Sequence, residues 1–124
     1  MVITNNGLNI LRSMLSGTNP SIDFMAIGSS TTTAEVSDTT LGSEVNRGNT
    51  ISFRKYNTGI LNDVGAFTKR VEFSSINRNN FQEVGLLSAS TGGTLFNRIV
   101  LSSSVTHSAN KRIRIDIDYQ IRRS

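Results

Sequence analysis

Lys111-Arg112-Ile113-Arg114-Ile115-Asp116-Ile117-Asp118-Tyr119-Gln120-Ile121-Arg122 is the stretch whose reading decides the fold. Ile113, Ile115, Ile117, Tyr119 and Ile121 share one parity, while Arg112, Arg114, Asp116, Asp118, Gln120 and Arg122 share the other. Successive side chains of a strand point to opposite faces, so this segment offers one apolar face to a core and one charged face to water.

Further strands are expected upstream, at residues 94–101, 81–88, 66–73, 51–56 and 22–27. Ser90-Thr91-Gly92-Gly93 separates the first two of these with the backbone freedom a hairpin needs. Ile22 to Ile27 is nearly continuous in apolar residues, the pattern of a strand buried on both faces. Ser29 to Ser37 reads as a polar Ser/Thr loop, and Asp38 to Glu44 as a short helical turn capped by Asp38. The one helical period is N-terminal: Leu8, Leu11 and Leu15 recur at i, i+3, i+7, with Ile10 and Met14 on an adjoining line. With Thr4 as N-cap, Gly17 beyond the C-terminus and Asn19-Pro20 turning the chain away, the helix is expected over 5–16. The expectation is a mainly β chain: a β-sandwich or flattened barrel of about six or more antiparallel strands with one N-terminal α-helix, in a single domain spanning 1–124.

Composition agrees. Ser, Thr and Asn are abundant and Glu, Lys and Ala sparse, which disfavours long helices. A chain of 124 residues buries roughly two-thirds of its unfolded surface, enough for one core. There is no cysteine, which excludes disulfides and thiolate metal sites. The N-terminus lacks the features of a signal peptide, and no apolar run approaches the roughly 18 residues of a membrane span, so a soluble protein made in a cytoplasm is expected. The net charge of +4, from 13 Lys and Arg against 9 Asp and Glu, falls short of the dense basic stripe of a dedicated DNA binder.

Catalytic chemistry finds no anchor. The single histidine, His107, lies in a polar segment and reads as an exposed loop residue, and no G-x-S-x-G elbow singles out an activated serine. Asp116 and Asp118 read as the wet face of one strand, flanked by arginines, rather than as a hydrolytic pair. Calcium-loop and phosphate-loop spacings are absent, and no cofactor is expected. Arg54, Lys55, Tyr56, Lys69 and Arg70 are the candidates for a single-strand nucleic-acid groove. Phe53, Phe67 and Phe73 alternate as core residues would, which leaves Tyr56 as the main aromatic for stacking and disfavours nucleic-acid binding. Glu83 with Arg98, and Glu44 with Arg47, read as surface or intradomain ion pairs.

Three segments carry a family resemblance. They are Ile3-Thr4-Asn5-Asn6-Gly7-Leu8-Asn9; Phe24-Met25-Ala26-Ile27-Gly28-Ser29-Ser30-Thr31 with Asp38-Thr39-Thr40-Leu41-Gly42-Ser43-Glu44-Val45-Asn46-Arg47; and Phe81-Gln82-Glu83-Val84-Gly85-Leu86-Leu87 with Gly93-Thr94-Leu95-Phe96-Asn97-Arg98. In order and spacing they resemble a family of bacteriophage tail and tail-fibre-associated virion proteins: a T-x-x-G-L helix entry, a D-T-x-L-x-x-E-x-x-R segment after an Ile-Gly strand end, and an E-V-G-L … G-x-L-x-x-R hairpin. Ser29-Ser30 departs from the glycine-bearing turn frequent in that family. The resemblance implies a non-enzymatic virion protein that oligomerises and binds other virion proteins of the tail, fibre or capsid. Large fibre proteins carry such a domain at their particle-proximal end; the sequence here has no shaft or receptor-binding tip, so the role implied is a tail or fibre-associated adaptor or attachment subunit. A capsid decoration protein is the alternative, and a single-stranded nucleic-acid-binding barrel the third reading. The candidate subunit contacts are Ser29, Ser30, Thr31, Thr32 and Thr33 in the polar loop and Arg122 and Arg123 at the cationic end of the last strand.

Overall fold

The computed structural model describes residues 1–18, 20–55, 64–76 and 79–122, without the side chains of 53–55, 64–66 and 120–122. In chain order the elements are β1 (Val2–Ile3), α1 (Asn5–Leu15), β2 (Phe24–Gly28), β3 (Glu44–Asn49), β4 (Ile51–Lys55), β5 (Val64–Phe73), β6 (Phe81–Leu87), β7 (Leu95–Val105) and β8 (Ile113–Arg122). The strands form two antiparallel sheets, one in the order β1-β7-β6-β2-β3 and the other β4-β5-β8. β3 and β4 are separated only by Thr50, so one extended stretch leaves the edge of the larger sheet and enters the smaller.

The sheets enclose the main core. Met25 and Ile27 of β2, Val84 and Leu86 of β6 and Phe96 of β7 meet Val71 and Phe73 of β5 and Ile117 and Tyr119 of β8. Tyr119 stacks on Phe67 with centroids 4.9 Å apart, and its hydroxyl donates to the buried Asn97 Oδ1 at 3.1 Å. Burial raises the Tyr119 phenol well above its ordinary value, against the smaller opposing effect of that hydrogen bond. The parity expected of β8 holds: Ile117 and Tyr119 are buried while Arg112, Arg114, Asp116 and Asp118 are exposed.

A second, smaller cluster lies on the outer face of the larger sheet. Ala26, Leu87 and Leu95 pack there beneath Leu41, which comes from the long β2–β3 connection. β2 is therefore covered on both sides, as its apolar run required. The connection contains no helical turn over 38–44, contrary to expectation. Asp38 does not cap a helix; its carboxylate accepts from the Glu35 N–H at 2.9 Å and meets Arg98, and the N–H groups of Gly42 and Ser43 are drawn to a carboxylate below them. β1 and β3 were not legible as strands, the first because it has two residues and the second because Glu44-Val45-Asn46-Arg47-Gly48-Asn49 carries no apolar alternation.

The helix forms where expected but turns a different face inward. Thr4, fully buried, accepts from the Gly7 N–H at 2.9 Å as N-cap and donates to the Leu95 carbonyl at 2.6 Å, fastening the first turn to β7. A Cβ at Gly7 would collide with the Phe96 carbonyl oxygen, so this residue sets how closely α1 lies on β7. Docking at Gly7 places Ile10 against the core with Leu11 beside it, and leaves Leu8 and Leu15 56% and 90% exposed. The buried line is Gly7-Ile10-Leu11 rather than Leu8-Leu11-Leu15. Ile10→Ala is therefore expected to cost about 2–5 kcal/mol in urea denaturation, whereas Leu15→Ala should stay within about 0.5 kcal/mol of wild type.

Candidate functional site

The polar loop and the residues beneath it form the most constrained part of the surface. In the register of the larger sheet, Glu83 lies opposite Gly28 and Arg98 opposite Gly85. Both side chains emerge on the outer face of that sheet, under the β2–β3 connection, with Glu83 fully buried and Arg98 2% exposed. The Arg98 Nε donates to Glu83 Oε1 at 2.9 Å. Glu83 also accepts three backbone N–H groups: Gly42 at 2.8 Å, Ser43 at 2.8 Å and Ser30 at 3.0 Å. A Cβ at position 28 would collide with this carboxylate, so the glycine makes room for it.

Arg98 spends its remaining donors on the loop. Nη1 reaches Asp38 Oδ2 at 3.1 Å and the Thr33 carbonyl at 3.3 Å, while Nη2 reaches Thr32 Oγ1 at 3.3 Å and Ser30 Oγ at 3.4 Å. The hydroxyls of Ser30 and Thr32 are themselves 2.7 Å apart. Burial pushes the Glu83 carboxyl upward, but the Gly42 N–H, the Arg98 guanidinium and the N–H groups of Ser43 and Ser30 together outweigh it and hold the group below the usual carboxylate range. The glutamate stays ionised and accepts at both oxygens.

The second sequence-level ion pair clamps a different loop. Arg47 forms a two-pronged contact with Glu44, Nε to Oε2 at 2.9 Å and Nη2 to Oε1 at 2.6 Å, and its Nη1 donates to the carbonyls of Ala89 and Gly92, both at 2.8 Å. It therefore braces the β6–β7 turn, where Gly92 and Gly93 adopt positive φ. The motif residues Gly28, Asp38, Leu41, Gly42, Glu83 and Arg98, spread over seventy positions of sequence, all lie in or around one buried cluster.

Of the expected contact residues, Ser30, Thr32 and Thr33 are tied to the Glu83–Arg98 pair, whereas the side chains of Ser29 and Thr31 are exposed on the loop. Arg122 ends β8 in the smaller sheet, remote in sequence and sheet order from the loop; its side chain, with Arg123 and Tyr56, lies outside what is described. The side chains of Phe53, Arg54 and Lys55 lie outside it too. Glu83 and Arg98 are not a surface pair, and the signal for their burial was present: β6 is apolar on both parities apart from Gln82 and Glu83, the pattern already recognised for β2.

Other candidates are placed in packing roles. His107 is 5% exposed, not a solvated loop residue: its Nε2 donates to the Lys111 carbonyl at 2.7 Å, and its own N–H donates to Asn80 Oδ1 at 3.1 Å. Because a carbonyl only accepts, the neutral ring carries its proton on Nε2. Lys69 is buried on the core-facing parity of β5 and meets Asp23 at 3.1 Å; Arg70 pairs with Asp116 at 2.7 Å, and Thr68 donates to Asp118 at 2.7 Å. Among the described residues no three acidic or histidine side chains group to hold a metal ion, and no helix is long and apolar enough to cross a membrane.

Removing one partner of a buried pair leaves an uncompensated charge, so Arg98→Met is expected to lose about 3–5 kcal/mol in chemical denaturation. Adding Glu83→Leu should not restore the loss, because the N–H groups of Ser30, Gly42 and Ser43 would remain unpaired. Acid tests the same site. A carboxyl depressed in the folded state contributes stability that is present above its unfolded value, about 4.3 for glutamate, and lost as pH falls through the folded value. The urea midpoint of the wild type should fall on acidification below about pH 4, and less steeply in Glu83→Gln. No protein-family model matches the chain, and no curated protein is significantly similar to it.

Proposed function

We propose that this protein is a structural subunit of a bacteriophage particle, associated with the tail or its fibres, that works by binding other virion proteins and has no enzymatic activity. The observation that carries the reading is the convergence of the motif residues on the clamp beneath the β2–β3 loop. A buried Glu–Arg pair is an inefficient source of stability compared with apolar packing. What it supplies here is a fixed loop shape: six backbone and hydroxyl groups of residues 30–43 are bonded to two side chains that the sheet holds rigid. A pre-shaped polar loop suits a surface that must meet a neighbour without the entropic cost of ordering at each contact.

The engagement of the polar side chains in intradomain contacts supports binding in preference to catalysis. The described aspartates, the histidine and Lys69 are engaged in intradomain pairs or packing. Within the clamped loop, Ser29, Thr31 and Val36 have exposed side chains available to a partner. Deleting the loop would strip Glu83 of its donors and unfold the site, so the informative change is at these tips.

Thr31→Arg combined with Val36→Asp should leave the circular dichroism spectrum unchanged and reduce incorporation into particles, read by quantitative mass spectrometry of purified virions from complemented mutant phage. Separation of tails from capsids before the measurement assigns the protein to one or the other. Absence of the wild-type protein from purified particles overturns the reading.

A further inference from the structure

Among the described residues, β8 is the longest outer strand of either sheet. It pairs with β5 over ten consecutive positions, Val64↔Arg122 to Phe73↔Ile113, with no bulge, and no described strand lies on its other side. The other outer strands are shorter, two residues in β1, six in β3 and five in β4. Long flat edges are ordinarily blunted by proline, a bulge or an inward charge because they invite pairing with another chain. β8 has none of these three; its remaining safeguard, the exposed charges of Arg114, Asp116 and Asp118, is of mixed sign.

Its charges are arranged to choose the chain that pairs with it. In antiparallel pairing of the strand with its own copy, directly opposite residues have numbers with a constant sum. When Ile115 faces Ile115, Arg114 faces Asp116 and Asp116 faces Arg114; one residue before the strand begins, Arg112 faces Asp118 and the converse. All four outward pairs are opposite in charge. A slip that makes position 114 self-opposed sets two arginines face to face, and one that makes 116 self-opposed sets two aspartates together. An odd slip turns the isoleucines of the partner onto the charged face. Asp116 and Asp118 already accept bonds from Arg70 and Thr68, but a carboxylate has about four acceptor sites.

The apolar side of the strand points the same way. The sandwich is open beside β8: a cleft of about 540 Å³ runs between it and β7, with the half-buried Ile113 and Ile115 facing Ile99, Leu101 and Val105. Two-fold pairing places Ile115 on the axis and Ile113 opposite the Ile117 of the second copy, bringing the open sides of the two sandwiches together.

We propose that β8 binds the β8 of a second copy of this chain, antiparallel and two-fold symmetric about Ile115, joining the two three-stranded sheets into one continuous sheet. The proposal deepens the subunit-binding reading by naming one partner, its strand and its register, and rests on it only in treating β8 as a binding edge.

Because the chain has no cysteine, single introduced thiols report the register cleanly. Residues opposite each other across antiparallel strands lie about 4.5–5.5 Å apart at Cα, within disulfide reach. Ile115→Cys should therefore yield a disulfide-linked dimer under mild oxidation, and Ile113→Cys, which faces position 117, should not. In sedimentation equilibrium the wild type should be a dimer. Arg112→Asp with Arg114→Asp should keep its circular dichroism spectrum and dimerise at least tenfold more weakly, and mixing it with Asp116→Arg plus Asp118→Arg should restore a heterodimer. A wild type that is monomeric up to about 0.1 mM, a dimer indifferent to the charge reversals, or equal cross-linking at 113 and 115 overturns the proposal. A monomer would leave the virion assignment standing, since presence in purified particles decides that.

Discussion

The buried contact between Glu83 and Arg98 is the constraint around which the outer half of the molecule is arranged. Two charges taken out of water impose a large desolvation penalty that their mutual attraction repays only if the remaining donors and acceptors are satisfied. Here the satisfaction comes from the β2–β3 connection, through Ser30, Thr32, Thr33, Asp38, Gly42 and Ser43. The loop cannot move away without exposing the pair's unmet valences, and the pair cannot persist without the loop. Leu41 reinforces the arrangement by covering Ala26, Leu87 and Leu95 beside it. A sheet face that would otherwise be half solvated becomes a second interior, which is why β2 and β6 are apolar on both parities.

The main core obeys simpler rules. Its members are drawn from both sheets, and among the described residues two polar side chains enter it with partners, Asn97 with Tyr119 and the Leu86 N–H, and Lys69 with Asp23 at one end. Charges on the opposite parity of the smaller sheet pair across strands, Arg70 with Asp116 and Thr68 with Asp118. In that ladder Asp116 is held below the usual carboxylate range chiefly by the hydrogen bond from Arg70.

What was legible in the sequence follows from which forces act locally. The alternation of β8, the two glycines of the β6–β7 turn and the Thr4 cap are written in residues that are neighbours along the chain, and each was read correctly. The face of α1 was not, because Leu8 and Leu15 have the right spacing but Gly7 decides the docking by its contact with Phe96, ninety residues away in sequence. Asp38 has the chemistry of a helix cap and the spacing for one; a guanidinium from β7 claims its carboxylate instead. β3 has no apolar period to read, since it is held by backbone pairing with β2 and by the grip of Arg47 on the hairpin turn. His107 sits in a segment of serines and threonines whose polarity suggested solvent, but its ring bonds to the Lys111 carbonyl in the connection before β8 and is buried.

The attachment of the N-terminus to β7 has a consequence for synthesis. Val2 and Ile3 pair with Arg98 and Asn97, and the Thr4 hydroxyl bonds to Leu95, so these residues find their partners only after about ninety further residues have been made. A helix of eleven residues is marginal by itself in water. At ribosomal rates the delay is on the order of ten seconds. Throughout that interval Ile10 and Leu11 have no β7 to dock against, and the nascent segment must either stay soluble through the many asparagines and serines around it or be sheltered by a chaperone.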